Sequence, residues 1–299
     1  MKRPFALFVL LVLLPALAQA QGFRERLERM REASREDRPV AVPVGASAIR
    51  NVAYGANLAQ RFDVYLPADA RRAPVVFYVH GGGWANGDKS NPGLENKLEY
   101  WIPKGYAVIS SNYRMLPAAM PLDQARDIAL AVSTAQKHAG EWNIDAERFV
   151  LMGHSAGAHL VALLGADPST LDVAGALRPL GVVSLDSGVL DVPALMSQQR
   201  VPKLYGNAFG SDRSYWVATS PLHRLTRHAL PMLVVCSSER RIPTAPCAEG
   251  RKFAQKSSTL GVRIQMQREA MNHAGINQDL GAPSAYTVSV ANYIDALVR

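Results

Sequence analysis

The spacing of apolar residues along the chain changes twice, and each change predicts a different element. Strand-like runs stand at 49–54 and 61–66, and in the second Phe62, Val64 and Leu66 alternate with Arg61, Asp63 and Tyr65. A period of two marks strands with one covered face, so the domain is expected to open on an antiparallel pair. The next apolar runs, 75–79, 107–109, 148–152, 180–183 and 232–235, are nearly continuous. Strands covered on both faces have this pattern. Between them lie helix-length segments at 121–138, where Leu122, Ala125, Ile128, Ala129 and Val132 share a face, at 156–164 and at 246–260. Strands alternating with helices predict an α/β fold with a mostly parallel central sheet flanked by helices. A last alternating run, 262–267, is expected towards a sheet edge, and 284–299 as a closing helix.

The first forty residues depart from that pattern. Lys2 and Arg3 precede the apolar run 5–17, and Ala18-Gln19-Ala20 has the small-x-small form of a signal-peptidase site. Residues 1–20 are therefore expected to be a cleavable leader, cut after Ala20, with a periplasmic or secreted product. The run is shorter than the roughly 20 apolar residues of a spanning helix, and Pro4 and Pro15 bound and break it, so no stable membrane anchor is expected. Residues 21–42 are dense in Arg and Glu, with Phe23, Leu27 and Met30 at helical spacing and Pro39 as a stop. They predict a charged N-terminal helix and linker, which leaves 43–299 as a single domain.

Composition narrows the function classes. Apolar residues make up 48% and charged residues 19%, which argues against a disordered or multi-span membrane chain. Removing Lys2 and Arg3 with the leader lowers the formal charge from +8 to +6. The remaining Lys and Arg are scattered and no nucleic-acid-binding motif accompanies them, so no nucleic-acid partner is expected. Export would carry Cys236 and Cys247 into a compartment where disulfides persist, and a bridge between them is expected, the alternative being two buried thiols.

The chemistry concentrates in two glycine-rich motifs at strand ends. Gly153-His154-Ser155-Ala156-Gly157 follows the apolar run ending at Met152 and precedes an apolar helical stretch. A G-x-S-x-G sequence in that setting is a nucleophile elbow, whose sharp turn leaves no room for side chains beside the serine. Upstream, His80-Gly81-Gly82-Gly83-Trp84 follows the strand at 75–79. Its glycines can turn backbone N–H groups towards the oxyanion that forms during acyl transfer, so Gly82 and Gly83, with Ala156 at the start of the elbow helix, are the expected donors. The stretch Gly82 to Ser90 nearly spells a phosphate-binding loop, but Asp88 places a negative charge where phosphate would sit. No HExxH or dinucleotide fingerprint is present, and the pairs His154/His159 and His223/His228 are spaced five apart, off the helical i,i+4 pairing. A hydrolase without metal or cofactor is the expectation.

HGGGW, GHSAGAHL and a late histidine together resemble the α/β-hydrolase carboxylesterases, close to the hormone-sensitive-lipase-like, acetyl or feruloyl esterase and arylformamidase branches. The resemblance covers about residues 48–299. It implies the chain order nucleophile, acid, base, which points to His273 in Met271-Asn272-His273-Ala274-Gly275 as the base for Ser155. The acid expected after the penultimate strand is Glu239, with Asp186 and Asp191 after the preceding strand as rivals. Arg240 and Arg241 would compete for the Glu239 carboxylate, and a Cys236–Cys247 bridge would clamp its loop. Trp84 and Tyr113, at strand ends, are candidates to line the substrate pocket. The implied activity is hydrolysis of short-chain acyl esters, of small molecules or acylated carbohydrates. The alternatives are amide hydrolysis of the arylformamidase type and a binding protein that kept the fold without its catalysis.

Overall fold

Eight strands form one sheet in the order β1-β2-β4-β3-β5-β6-β7-β8. The structure, a computed structural model, describes residues 40–240, 243, 244 and 246–299, so the expected leader and nearly all of the charged N-terminal segment lie outside the described residues. Ala41–Arg299 form one compact unit. The strands are β1 Ser47–Ala53, β2 Arg61–Leu66, β3 Ala73–Val79, β4 Ala107–Ser111, β5 Ile144–His154, β6 Gly181–Leu185, β7 Met232–Ser237 and β8 Ile264–Glu269. β2 pairs antiparallel with β1 and β4, and every pairing from β4 through β3 to β8 is parallel.

The continuous runs are thereby accounted for, whereas β2, whose alternation predicts one covered face, is covered on both: Asp63 and Tyr65 are buried along with Phe62 and Val64, and the Asp63 carboxylate pairs with Lys89. Central strands β4, β6 and β7 are buried at every position, whereas the edge strands β1 and β8 have no fully buried residue. Helices supply the cover: α1 Leu94–Trp101, α2 Pro121–Lys137, α3 Ala156–Ala166, α4 Ser169–Val173, then the short helices α5 Val192–Met196, α6 Lys203–Phe209, α7 Arg213–Ala218 and α8 Pro221–Arg224, and finally α9 Pro246–Thr259, α10 His273–Gln278 and α11 Ala285–Val298. α3 is buried along its whole length, which is why the apolar stripe expected of a surface helix is absent there.

Parallel strands joined by helices all end on the same side, and it is at these carboxyl ends that open α/β sheets place their ligand sites. β3 runs into His80, β5 into Ser155, β6 into Asp186, and the turn after β8 into His273. Four segments far apart in sequence thus converge on one rim. Among the described residues no helix is long and apolar enough to cross a membrane, and no group of three His, Cys, Asp or Glu could hold a metal ion.

Candidate active site

Ser155 sits in the turn between β5 and α3 with φ 55° and ψ −115°, a conformation an L-residue holds only when the surroundings fix it. Its N–H donates to Leu185 O at 3.0 Å, and its carbonyl accepts from Gly188 at 2.8 Å and His159 at 3.1 Å. The flanking glycines have a steric cause. A Cβ on Gly157 would lie 2.3 Å from Val79 O, and one on Gly153 would lie 2.4 Å from Gly157 O. The elbow helix therefore packs against the end of β3 at backbone distance.

His273 opens α10, with Asn272 as its N-cap accepting from Gly275 N. Its Nε2 is 2.9 Å from Ser155 Oγ, and its Nδ1 is 2.5 Å from Asp186 Oδ2. The carboxylate that holds the histidine is thus Asp186, at the end of β6, and not Glu239. The reason lies at the end of β7. Ser237 Oγ accepts the N–H groups of Glu239 and Arg240 and donates to Met271 O, curling the chain so that Glu239 is exposed while Arg240 turns inward. Asp186, at φ 46°, directs its carboxylate back towards β7, where Oδ1 accepts Ser237 N–H at 2.9 Å. Burial alone would raise the pKa of Asp186. The hydrogen bond from His273, the Arg240 charge and the Ser237 N–H outweigh burial and hold the carboxyl below the ordinary carboxylate range. Asp191, the other rival, caps α5 through a bond from Ala194 N.

Gly82 and Gly83 line the cavity beside Ser155, and Ala156 follows it as the first residue of α3. Gly82, at φ 122°, closes a tight turn in which Ala85 and Asn86 donate to its carbonyl, and a Cβ there would lie 1.8 Å from Asn86 O. The two aromatic candidates do not line the cavity. Trp84 is 1% exposed, its indole packed against His159, Tyr205 and Phe209, with Nε1 donating to His159 Nδ1 at 3.2 Å. Tyr113 is fully buried, stacked on His80, with its hydroxyl donating to His80 O. Both brace the glycine loop from behind. Aromatic rings at strand ends face the core as readily as a pocket, and the sequence pattern does not separate the two.

The cavity, about 330 Å³, is lined by Gly81–Gly83, His154, Ser155 and His273, and on its other side by Asn91, Pro92, Ala274, Asn277 and Gln278. The sequence alone did not single out this second wall, because it comes from the α1 approach and from α10. His154 also does more than fill the elbow. Its Nε2 lies 2.9 Å from His273 O and its ring 4.6 Å from the His273 ring. Burial, and then the neighbouring His273, lower its pKa to about 3, so it stays neutral and donates Nε2–H to that carbonyl. Cys236 and Cys247 are joined by a disulfide that closes the segment containing Arg240.

A sheet of this order with a serine elbow after its fifth strand defines the α/β-hydrolase class. Within that class the chain belongs to the BD-FAE family, whose model matches residues 62–242. Esterase LipC of Mycobacterium tuberculosis (strain ATCC 25618 / H37Rv) is 26% identical over 273 residues, which cover 81% of this chain and 64% of LipC. Kynurenine formamidase of Danio rerio is 30% identical over 155 residues, 50% of this chain and 48% of the relative. The chain thus spans less than two thirds of the length of these curated relatives. The crystal structure of esterase B from Lactobacillus rhamnosis (HN001) shares the fold, with a TM-score of 0.68 at 20% identity, covering 94% of this chain and 95% of that one.

Proposed function

We propose that the protein is a serine carboxylesterase that hydrolyses short-chain acyl esters through Ser155, His273 and Asp186. The observation that carries this is the continuous relay from Ser155 Oγ to His273 Nε2 at 2.9 Å and from His273 Nδ1 to Asp186 at 2.5 Å. In the first half-reaction Ser155 Oγ bonds to the ester carbonyl carbon as His273 takes its proton, and the oxyanion meets the N–H groups of Gly82, Gly83 and Ala156. The tetrahedral intermediate collapses, the C–O bond to the alcohol breaks, and His273 returns the proton to the leaving oxygen. Water then attacks the acyl-enzyme by the same steps and frees the acid. Asp186 keeps the imidazole in the tautomer that presents Nε2 to the serine.

A cavity of about 330 Å³ supports small acyl and alcohol parts, acylated carbohydrates among them. We place the mature chain in the periplasm or outside the cell, cut after Ala20; the disulfide supports an oxidising compartment. The similarity to kynurenine formamidase supports a second reading, hydrolysis of an aryl formamide by the same serine.

The test is hydrolysis of p-nitrophenyl esters from acetate to palmitate, beside N-formylkynurenine, by the protein and its Ser155→Ala variant. A Ser155-dependent rate that falls with chain length is expected. A faster reaction on the formamide favours the second reading, and no turnover of either contradicts both.

A further inference from the structure

Arg240 is the one charged group outside the Ser155–His273–Asp186 relay that pairs with its carboxylate among the described residues. Its Nε lies 2.9 Å from Asp186 Oδ2, the same oxygen that holds His273. That N–H is not aimed at the oxygen, so the contact is one of charge with charge rather than a directed hydrogen bond. Its Nη2 instead donates to the backbone carbonyls of Asp186, at 3.2 Å, and Ser187. The guanidinium thus clamps the strained turn at Asp186 and sets a permanent cation beside the carboxylate. The Cys236–Cys247 bridge closes the loop that delivers it.

We propose that Arg240 is a positioning residue of the relay: by sharing the Asp186 oxygen that holds His273, it sets the acid limb of the activity. The inference rests on the assignment of Ser155, His273 and Asp186 proposed above. In a relay without such a partner, the carboxylate is free to stabilise a cationic imidazole, in the free enzyme as well as in the transition state. A resident cation offsets part of that stabilisation, so protonation of the free enzyme, which removes the base, requires a lower pH.

Other groups face the same place. The His154 ring lies tilted against that of His273 and stays neutral, and Lys97 of α1 acts electrostatically on His154. Tyr205 of α6 and Tyr286 of α11 are within electrostatic reach of Asp186. Glu249 of α9 lies near Arg240 but is held by the N–H groups of Leu190 and Asp191. None of these supplies a cation to Asp186 Oδ2.

The experiment is the pH dependence of kcat/KM on p-nitrophenyl acetate for the parent protein, Arg240→Gln, Arg240→Met and Arg240→Lys, each with its thermal unfolding. Removing the charge should move the acid limb to higher pH by on the order of one unit, with Arg240→Lys remaining nearer the parent. A folded Gln or Met variant whose limb does not move, whatever its kcat, overturns the proposal and leaves the ester-hydrolase assignment standing. Failure of both to fold makes Arg240 a structural anchor and also overturns it. A parent protein without Ser155-dependent turnover removes the assignment itself, and the Arg240 role with it.

Discussion

Asp186, at the end of β6, holds Nδ1 of His273 at 2.5 Å across 87 residues of sequence, while Glu239 stands exposed one strand further on. If Asp186 fixes the tautomer of the base, Asp186→Asn should lower kcat by about 10³–10⁴-fold. Glu239→Gln should leave it within about twofold, as an exposed substitution does. Steady-state kinetics of the two variants side by side check this, and the reverse ranking would restore the glutamate.

His154 donates to the carbonyl of His273, and its ring lies 4.6 Å from the His273 ring, tilted by 36°. His154→Phe keeps a ring in place and removes the donor. One lost hydrogen bond that orients the base should lower kcat about tenfold with little change in KM. An unchanged kcat would show that α10 is oriented without it.

The Cys236–Cys247 bridge closes a short loop between the end of β7 and α9, with a sequence separation of 11. By the loop-entropy account, breaking it should cost about 3 kcal/mol. Denaturant unfolding with and without reductant measures this. Because Arg240 lies within the closed segment, activity should fall under reductant before the fold is lost.

Lys97 is fully buried, donating to Gly93 O and to the backbone and side-chain oxygens of Asn277, and burial lowers its pKa to about 7. In the unfolded chain lysine titrates near 10.4, about three units higher. Between these pH values the unfolded state binds more protons than the folded one, so this residue makes stability rise with pH from about 7 to about 10. Urea unfolding at pH 6.5 and 9.5 should show the parent gaining more stability with pH than Lys97→Met. Equal gains would mean that Lys97 is charged in the folded protein throughout that range.

Much of this was legible in the sequence. Continuous apolar runs gave β3 to β7, because strands buried on both faces leave no polar register. The elbow was legible because Gly153 and Gly157 are forced by backbone contact. The acid was not, because β6 and β7 both end in a carboxylate-bearing turn and only the curl around Ser237 decides which one faces His273. Trp84 and Tyr113 were placed at the correct strand ends, yet a one-dimensional pattern does not say that their rings turn under the glycine loop. Asn91, Asn277 and Gln278 had no signature, since they meet only when α10 docks beside α1.

The most direct test of the central claim is the intact mass of the protein after incubation with a fluorophosphonate. Activation of Ser155 by His273 and Asp186 predicts one covalent adduct, mapped to Ser155 and absent from Ser155→Ala. A protein that stays unmodified, or is labelled equally in the variant, would contradict the account.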